Sequence, residues 1–244
     1  MNNWRCIFVL TATVDPFAGG NQVTMSDRRE RLRQYLDNIR ALILTPAVTH
    51  IVFCENSDYR YDYGEMVELA RRHDTVLEIL TFMGSNEVIR RKGKSYGEAE
   101  ILNYAVDTSA WLRDSRDCFY KLTGRITVAN LNAILEETGH DNVFIRWDIR
   151  KNEVDTRFFK VQVGFYRESL YPLLEQMDES CGCSIEEVYF NYMKGNRLLR
   201  SFRRYPVIRG ICASLGKPYD LGLFKSLYRK LQLKAGLLDL RRVS

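Results

Sequence analysis

Four short apolar runs constrain this chain more than any other feature: RCIFVLTAT at 5–13, HIVFC at 50–54, VLEILTF at 76–82 and CFYKL at 118–122. Each is shorter than a core helix and strand-like in composition, so each reads as a strand, the first as a central one covered on both faces. Between the first three lie helical patterns. Residues 27–44 carry an inner stripe of Leu32, Leu36, Ile39 and Ile43, and 63–72 form a second helix. A β-α-β-α-β order implies an α/β fold: a Rossmann-like, mostly parallel central sheet flanked by helices. In such sheets ligands sit beyond the carboxyl ends of the strands. That rule brings to one rim Thr11, Thr13 and Asp15, then Glu55 and Asn56, then 82–84, and last Thr123, Gly124 and Arg125. The first strand ends in a loop containing Gly19-Gly20.

The stretch 93–131 is the most distinctive. It opens GKSYGEAEILNYAV, which reads as a Gly-rich loop feeding a helix whose inner face carries Ile101, Leu102, Ala105 and Val106. Gly93 and Gly97 let backbone approach a ligand, and Lys94 sets a cation beside the N–H groups of the helix start. It closes FYKLTGR, a strand broken at a glycine between a hydroxyl and a guanidinium. No G-x-G-x-x-G follows the first strand and no G-x-x-x-x-G-K-[ST] occurs, which argues against a dinucleotide cofactor and a P-loop.

GKSYGEAEILNYA followed by FYKLTGR resembles bacterial glycosyltransferases of the GT-A fold that build surface polysaccharides such as O-antigen and capsule. The resemblance implies a nucleotide-sugar half over 1–130 and an acceptor half over 131–220. It implies donor contacts at Lys94, Gly97, Glu98, Lys121, Thr123, Gly124 and Arg125, beside the rim residues Thr11, Thr13, Asp15, Glu55 and Asn56. It extends to 202–219, where a Pro-x-x-x-Gly and Ser214-x-Gly216-Lys217 return to the site. There Arg203, Arg204 and Arg209 either meet the diphosphate or are surface charge; Arg204 and Arg209 are taken as phosphate ligands. GT-A enzymes commonly hold a divalent metal with Asp-x-Asp after the fourth strand. This chain has no Asp-x-Asp, so no metal and no other cofactor is expected, with Arg125 meeting the leaving diphosphate instead.

The second half changes character. Residues 142–150 and 156–166 read as an antiparallel strand pair, 169–178 as a short helix and 179–184 as a flexible loop. A helix over 185–194 follows, with Ser184 as its N-cap. In the resembling enzymes the base is a carboxylate at such a helix start, which here is Glu186 or Glu187, with Glu186 ahead. Acids in a first helical turn also favour the helix dipole whatever the function. Asp148 and Asp155 are the other carboxylates of this half.

A chain of 244 residues with five prolines fits one domain over 1–220 and a tail over 221–244. No apolar run is long enough to span a membrane, and the first ten residues are too short for a signal peptide. Cys6, Cys54 and Cys118 fall inside strands as reduced thiols, so a cytoplasmic location is expected. Cys181-Gly-Cys183 and three isolated histidines lack the spacing of a zinc site. The formal charge of +5 is concentrated: from Asn196 onward twelve Lys/Arg face two acids, leaving −5 elsewhere. The tail reads as an amphipathic helix or helix pair broken near Gly236. Phe224, Leu227, Tyr228, Leu231 and Leu238 lie on one side, and Lys225, Arg229, Lys230 and Lys234 on the other. Such a tail suits the inner face of the cytoplasmic membrane, packing on the domain, or a partner protein. Three functions are consistent with this: a glycosyltransferase acting on a lipid-linked or growing polysaccharide, a non-catalytic nucleotide-sugar-binding subunit, or a nucleic-acid binder. Tyr205, Tyr219 and Tyr228 among the basic residues motivate the last, but the tail's apolar stripe favours lipid, so no nucleic acid is expected.

Overall fold

The computed structural model describes residues 5–16, 27–137, 139, 142–211, 218–219 and 222–243. Gly19-Gly20 and Ser214-x-Gly216-Lys217 lie outside the described residues. The elements run β1 (Ile7–Ala12), α1 (Arg28–Ile43), β2 (His50–Glu55), α2 (Gly64–Arg72), β3 (Val76–Thr81), α3 (Asn86–Lys92), α4 (Lys94–Thr108) and β4 (Cys118–Thr123). After them come β5 (Ile126–Val128), α5 (Leu131–Leu135), β6 (Asn142–Val143), β7 (Phe158–Gln162), the single turn α6 (Val163–Phe165), α7 (Ile185–Met193), β8 (Leu199–Arg200), β9 (Ile208–Gly210) and α8 (Gly222–Lys234).

The main sheet has the order β3-β2-β1-β4-β7-β6-β8. The first four strands are parallel, β7 is antiparallel to β4, and β5 pairs with β9 in a small antiparallel sheet. The α/β architecture with a mostly parallel, helix-flanked central sheet is therefore present. Alternation along β1 shows how it is cored. Phe8 and Leu10 face one way, into a cluster with Ile39, Phe53 and Leu122; Ile7 and Val9 face the other, with Val52, Leu102, Phe159 and Tyr189. Burial on both faces is why β1 is almost wholly apolar.

The second half departs from expectation. Of 142–150 only Asn142–Val143 forms a strand, paired with β7 on one side and with β8 on the other, where Phe144 N–H donates to Arg200 O; beyond it Arg146 N–H donates to Leu238 O. The antiparallel pairing of this short strand with β7 is retained at Val143 and Lys160. β7 ends at Gln162, where the chain becomes helical. The helix expected over 169–178 is instead a π turn (Tyr166–Leu170) followed by a 3-10 turn (Tyr171–Gln176). Pro172, which lacks a backbone donor, sits at the start of the latter.

The tail packs on the body through one side only. Leu233 and Leu238 join the first core cluster, Leu240 joins the second, and Arg229 Nη2 lies 2.8 Å from Asp148 Oδ2. Gly236, at φ 72°, breaks the helix where expected. Of the predicted apolar stripe, Leu238 is buried while Phe224, Leu227, Tyr228 and Leu231 remain exposed.

Candidate functional site

The loops after β1 and β2 are fastened by one carboxylate. Glu55 is fully buried; its Oε1 accepts from Val14 N and Ser57 N, both at 2.9 Å, and from Ser57 Oγ. Its Oε2 accepts from Tyr59 N at 3.0 Å. On the other side, Arg31 of α1 donates from Nε (2.8 Å) and Nη2 (2.5 Å) to Thr13 O, while Thr13 N donates to Tyr35 Oη at 2.9 Å. Thr13 Oγ1 and Asn56 Oδ1 lie 2.6 Å apart, tying the two loops together. Asp15 is held by Arg28 at 2.7 Å.

At the end of β4, Lys121 is fully buried and ion-pairs with Glu98 Oε1. It also donates to Thr123 Oγ1 at 2.9 Å and Thr156 O at 2.6 Å. Gly124 follows at a close approach: its N–H meets Thr11 O at 2.9 Å, and a Cβ there would lie 2.8 Å from that oxygen and from the Tyr35 ring. Glycine at 124 therefore lets the chain turn tightly and present Arg125, which is buried against the cavity wall. Arg31 feels the like charge of Arg125. Burial is the main cause lowering its proton affinity, with Tyr35 opposing and Arg125 adding to the decrease.

The Gly-rich stretch is not a loop. α3, which the sequence pattern did not reveal, runs into α4 at Gly93, whose φ of 96° makes the junction. The start of α4 is already capped: Ser95 N and Oγ donate to Glu179 Oε1 at 3.0 and 2.5 Å. Any side chain at Gly93 would run into Glu179, at 2.5 Å from its Oε2. The segment expected as a loop at 179–184 thus includes a 3-10 turn (Glu179–Cys181), itself capped by Asp178.

α7 begins with a capping box. Ser184 Oγ accepts from Glu187 N, and the Glu187 carboxylate accepts from Ser184 N at 3.2 Å. Glu187 is thereby committed to the helix start. Glu186 points the other way, accepting from Thr156 Oγ1 at 2.9 Å. Its proton affinity is raised, chiefly by burial and then by the charge of Glu98, against the pull of its own N–H, Thr156 and Lys94.

These groups meet at a cavity of about 600 Å³ beyond the C-terminal ends of β1 and β4, within the usual range for a small-molecule site. Thr11, Thr13, Asn56, Lys94 and Gly97 line it, as do Glu98, Thr123, Arg125 and Glu186. Asp15, Glu55, Lys121, Gly124 and Glu187 stand behind the lining, holding it. Arg204 and Arg209 are elsewhere: Arg204 pairs with Glu137 at 2.5 Å, and Arg209 lies on β9 opposite Thr127. Arg31, Tyr35, Arg90, Arg91, Thr156 and Arg157 also line the cavity and were not anticipated. Arg157 is fixed by Asp155 at 2.9 and 2.7 Å and stacks on Trp147, 3.9 Å from the ring centre.

Comparison with solved structures finds the same arrangement of elements in glycosyltransferase GlyE of Streptococcus pneumoniae TIGR4, at TM-score 0.50 and 10% identity. The α/β fold is thus similar to that of this glycosyltransferase. The match covers 82% of this chain and 45% of the GlyE chain, so it shows architecture alone. A UTP-bound UGPase from Acinetobacter baumannii matches at TM-score 0.44 and 8% identity over 97% of this chain and 96% of its own. A UDP-glucose pyrophosphorylase complexed with UDP-glucose matches at 0.40 and 8% over 95% and 98%. No protein-family model and no curated protein sequence matches the chain.

Proposed function

We propose that this chain is a glycosyltransferase that moves a sugar from a nucleotide-sugar donor to a lipid-linked or growing polysaccharide. The observation that carries this is the presence of Arg125 and Glu186 in one cavity at the carboxyl edge of the sheet. As an acceptor hydroxyl attacks the anomeric carbon, the bond from that carbon to the diphosphate breaks. Arg125 meets the charge growing on the diphosphate and Glu186 takes the hydroxyl proton. The work of the remaining groups is positional: Glu55 and Arg31 hold the two loops, and Lys121 orients Glu98.

The reaction needs no divalent metal in this reading. Where the fold family commonly places Asp-x-Asp, Thr123-Gly124-Arg125 offers a guanidinium with the Lys121 ammonium behind it, and Glu98 is engaged by that ammonium. These residues do not fit a metal, which takes oxygen donors.

The tail supports docking on the anionic inner face of the cytoplasmic membrane. Phe224, 91% exposed, begins a row continued by Leu227, Tyr228 and Leu231, and Lys225, Lys230 and Lys234 flank it. No helix among the described residues is long and apolar enough to cross a membrane. Sedimentation with phosphatidylglycerol vesicles is expected, weakening in Phe224→Ser/Leu231→Ser and with phosphatidylcholine. Equal sedimentation of the variant would remove the membrane from the account.

Donor binding is tested by thermal shift over a panel of nucleotide sugars. One nucleotide should stabilise the wild type, and Arg125→Ala should weaken that donor by roughly 1.5–3 kcal/mol while its unliganded melting temperature hardly moves. Unchanged donor affinity in the folded variant would leave Arg125 a structural role only.

A further inference from the structure

We infer that the sugar end of the bound donor is a neutral, hydroxyl-bearing ring, selected by Glu98. The inference rests on the donor-site reading above and extends it to the class of sugar. Glu98 lies in the first turns of α4 and lines the cavity, with its side chain 25% exposed. Oε1 is taken by Lys121, itself fixed by Thr123 Oγ1 and Thr156 O. Oε2 accepts no hydrogen bond from the described residues and is not among the sealed polar atoms. A carboxylate so fixed presents one rigid acceptor to the cavity, and its natural partner is a hydroxyl donor.

The charge around it narrows the ligand further. Thr156 bridges Glu98 and Glu186: its carbonyl accepts from Lys121 and its hydroxyl donates to Glu186. Lys121 is engaged by Glu98, Arg157 by Asp155, and Arg90 and Arg91 belong to α3, while Lys94 acts on Glu186. The guanidinium of Arg31 reaches from α1 to the loop after β1, and that of Arg125, following β4, is near enough for the two charges to act on each other. A ligand with a phosphate end and a hydroxyl end matches this division. A uronate or other acidic sugar would set a third carboxylate against Glu98 and Glu186, and like charges brought together this way are disfavoured. Neutral sugars place hydroxyls there instead, and a site built to receive a hydroxyl discriminates strongly.

The test uses the full-length protein and isothermal titration. UDP, GDP, CDP and dTDP are titrated first, then the glucose and glucuronate conjugates of whichever nucleotide binds. The neutral conjugate should bind at least ~10-fold more tightly than the acidic one. Because Glu98→Gln strands Lys121 without its counter-ion, the variant of choice is Glu98→Gln/Lys121→Met, which removes both charges. There the preference should fall to within ~3-fold. Equal or tighter binding of the glucuronate by the wild type would overturn the inference while leaving the donor site standing. A folded double variant that keeps the full preference would show that Glu98 is not the selector. Failure of all four nucleotides to bind would overturn the donor-site reading, and this inference with it.

Discussion

Glu186→Gln should fold normally, bind donor normally and lose at least ~100-fold in turnover. Glutamine keeps the shape and can still accept from Thr156 Oγ1, but it cannot take a proton from the acceptor. Donor affinity should be spared because Arg125, and not Glu186, makes the phosphate contact. The raised proton affinity of Glu186 fixes the sign of the pH dependence. A base works deprotonated, so turnover should climb with pH through a value above the ordinary carboxylate range, and that limb should vanish in the variant. Glu187→Gln is the control. Its side chain closes the α7 cap, and glutamine can still accept from Ser184 N, so only the charge at the helix start is lost; about 0.3–1 kcal/mol of stability should go and turnover stay intact. If Glu186→Gln keeps near-normal turnover, Glu186 is not the base and the acceptor side lies elsewhere.

The second large effect is on stability. Glu55→Ala strands three backbone N–H groups and the Ser57 hydroxyl around a buried site. Each unsatisfied donor costs about 1–3 kcal/mol, so a total loss of at least about 3 kcal/mol is expected even after water enters. For a domain of this size that is a drop of roughly 6–12 °C in melting temperature. Calorimetry of the unliganded variant measures it. A change under ~2 °C would mean that the loops at Val14 and Ser57 do not depend on this carboxylate.

The parallel part of the fold was legible because burial on both faces leaves a local mark. β1, β2 and β4 are buried almost from end to end and mostly apolar, and their order dictates their neighbours. The antiparallel half was not, because its strands are cut short by distant partners: Leu238 draws the Arg146 N–H out of the ladder. The same holds for Glu179, which caps α4 from 84 residues away. Two local signals at the site are present in the sequence. Arg31, Tyr35, Asn38 and Leu42 share the inner face of α1, and polar residues on a buried stripe mark a helix that does more than pack. Likewise Ser184-x-x-Glu187 is a capping-box pattern, and the spacing alone separates Glu187 from Glu186. Arg204 and Arg209 are not among the lining residues: Arg204 pairs with Glu137 and Arg209 lies on β9 opposite Thr127.

Sugar transfer from a nucleotide donor is tested most directly by the product released. The nucleotide sugar that stabilises the wild type is incubated with membrane lipid extract and excess EDTA, and the released nucleotide is identified. The predicted product is nucleoside diphosphate, formed at close to the rate seen with magnesium or manganese and abolished by Glu186→Gln. Release of a nucleoside monophosphate or of sugar 1-phosphate, or activity that stops on chelation and returns with manganese, would contradict it.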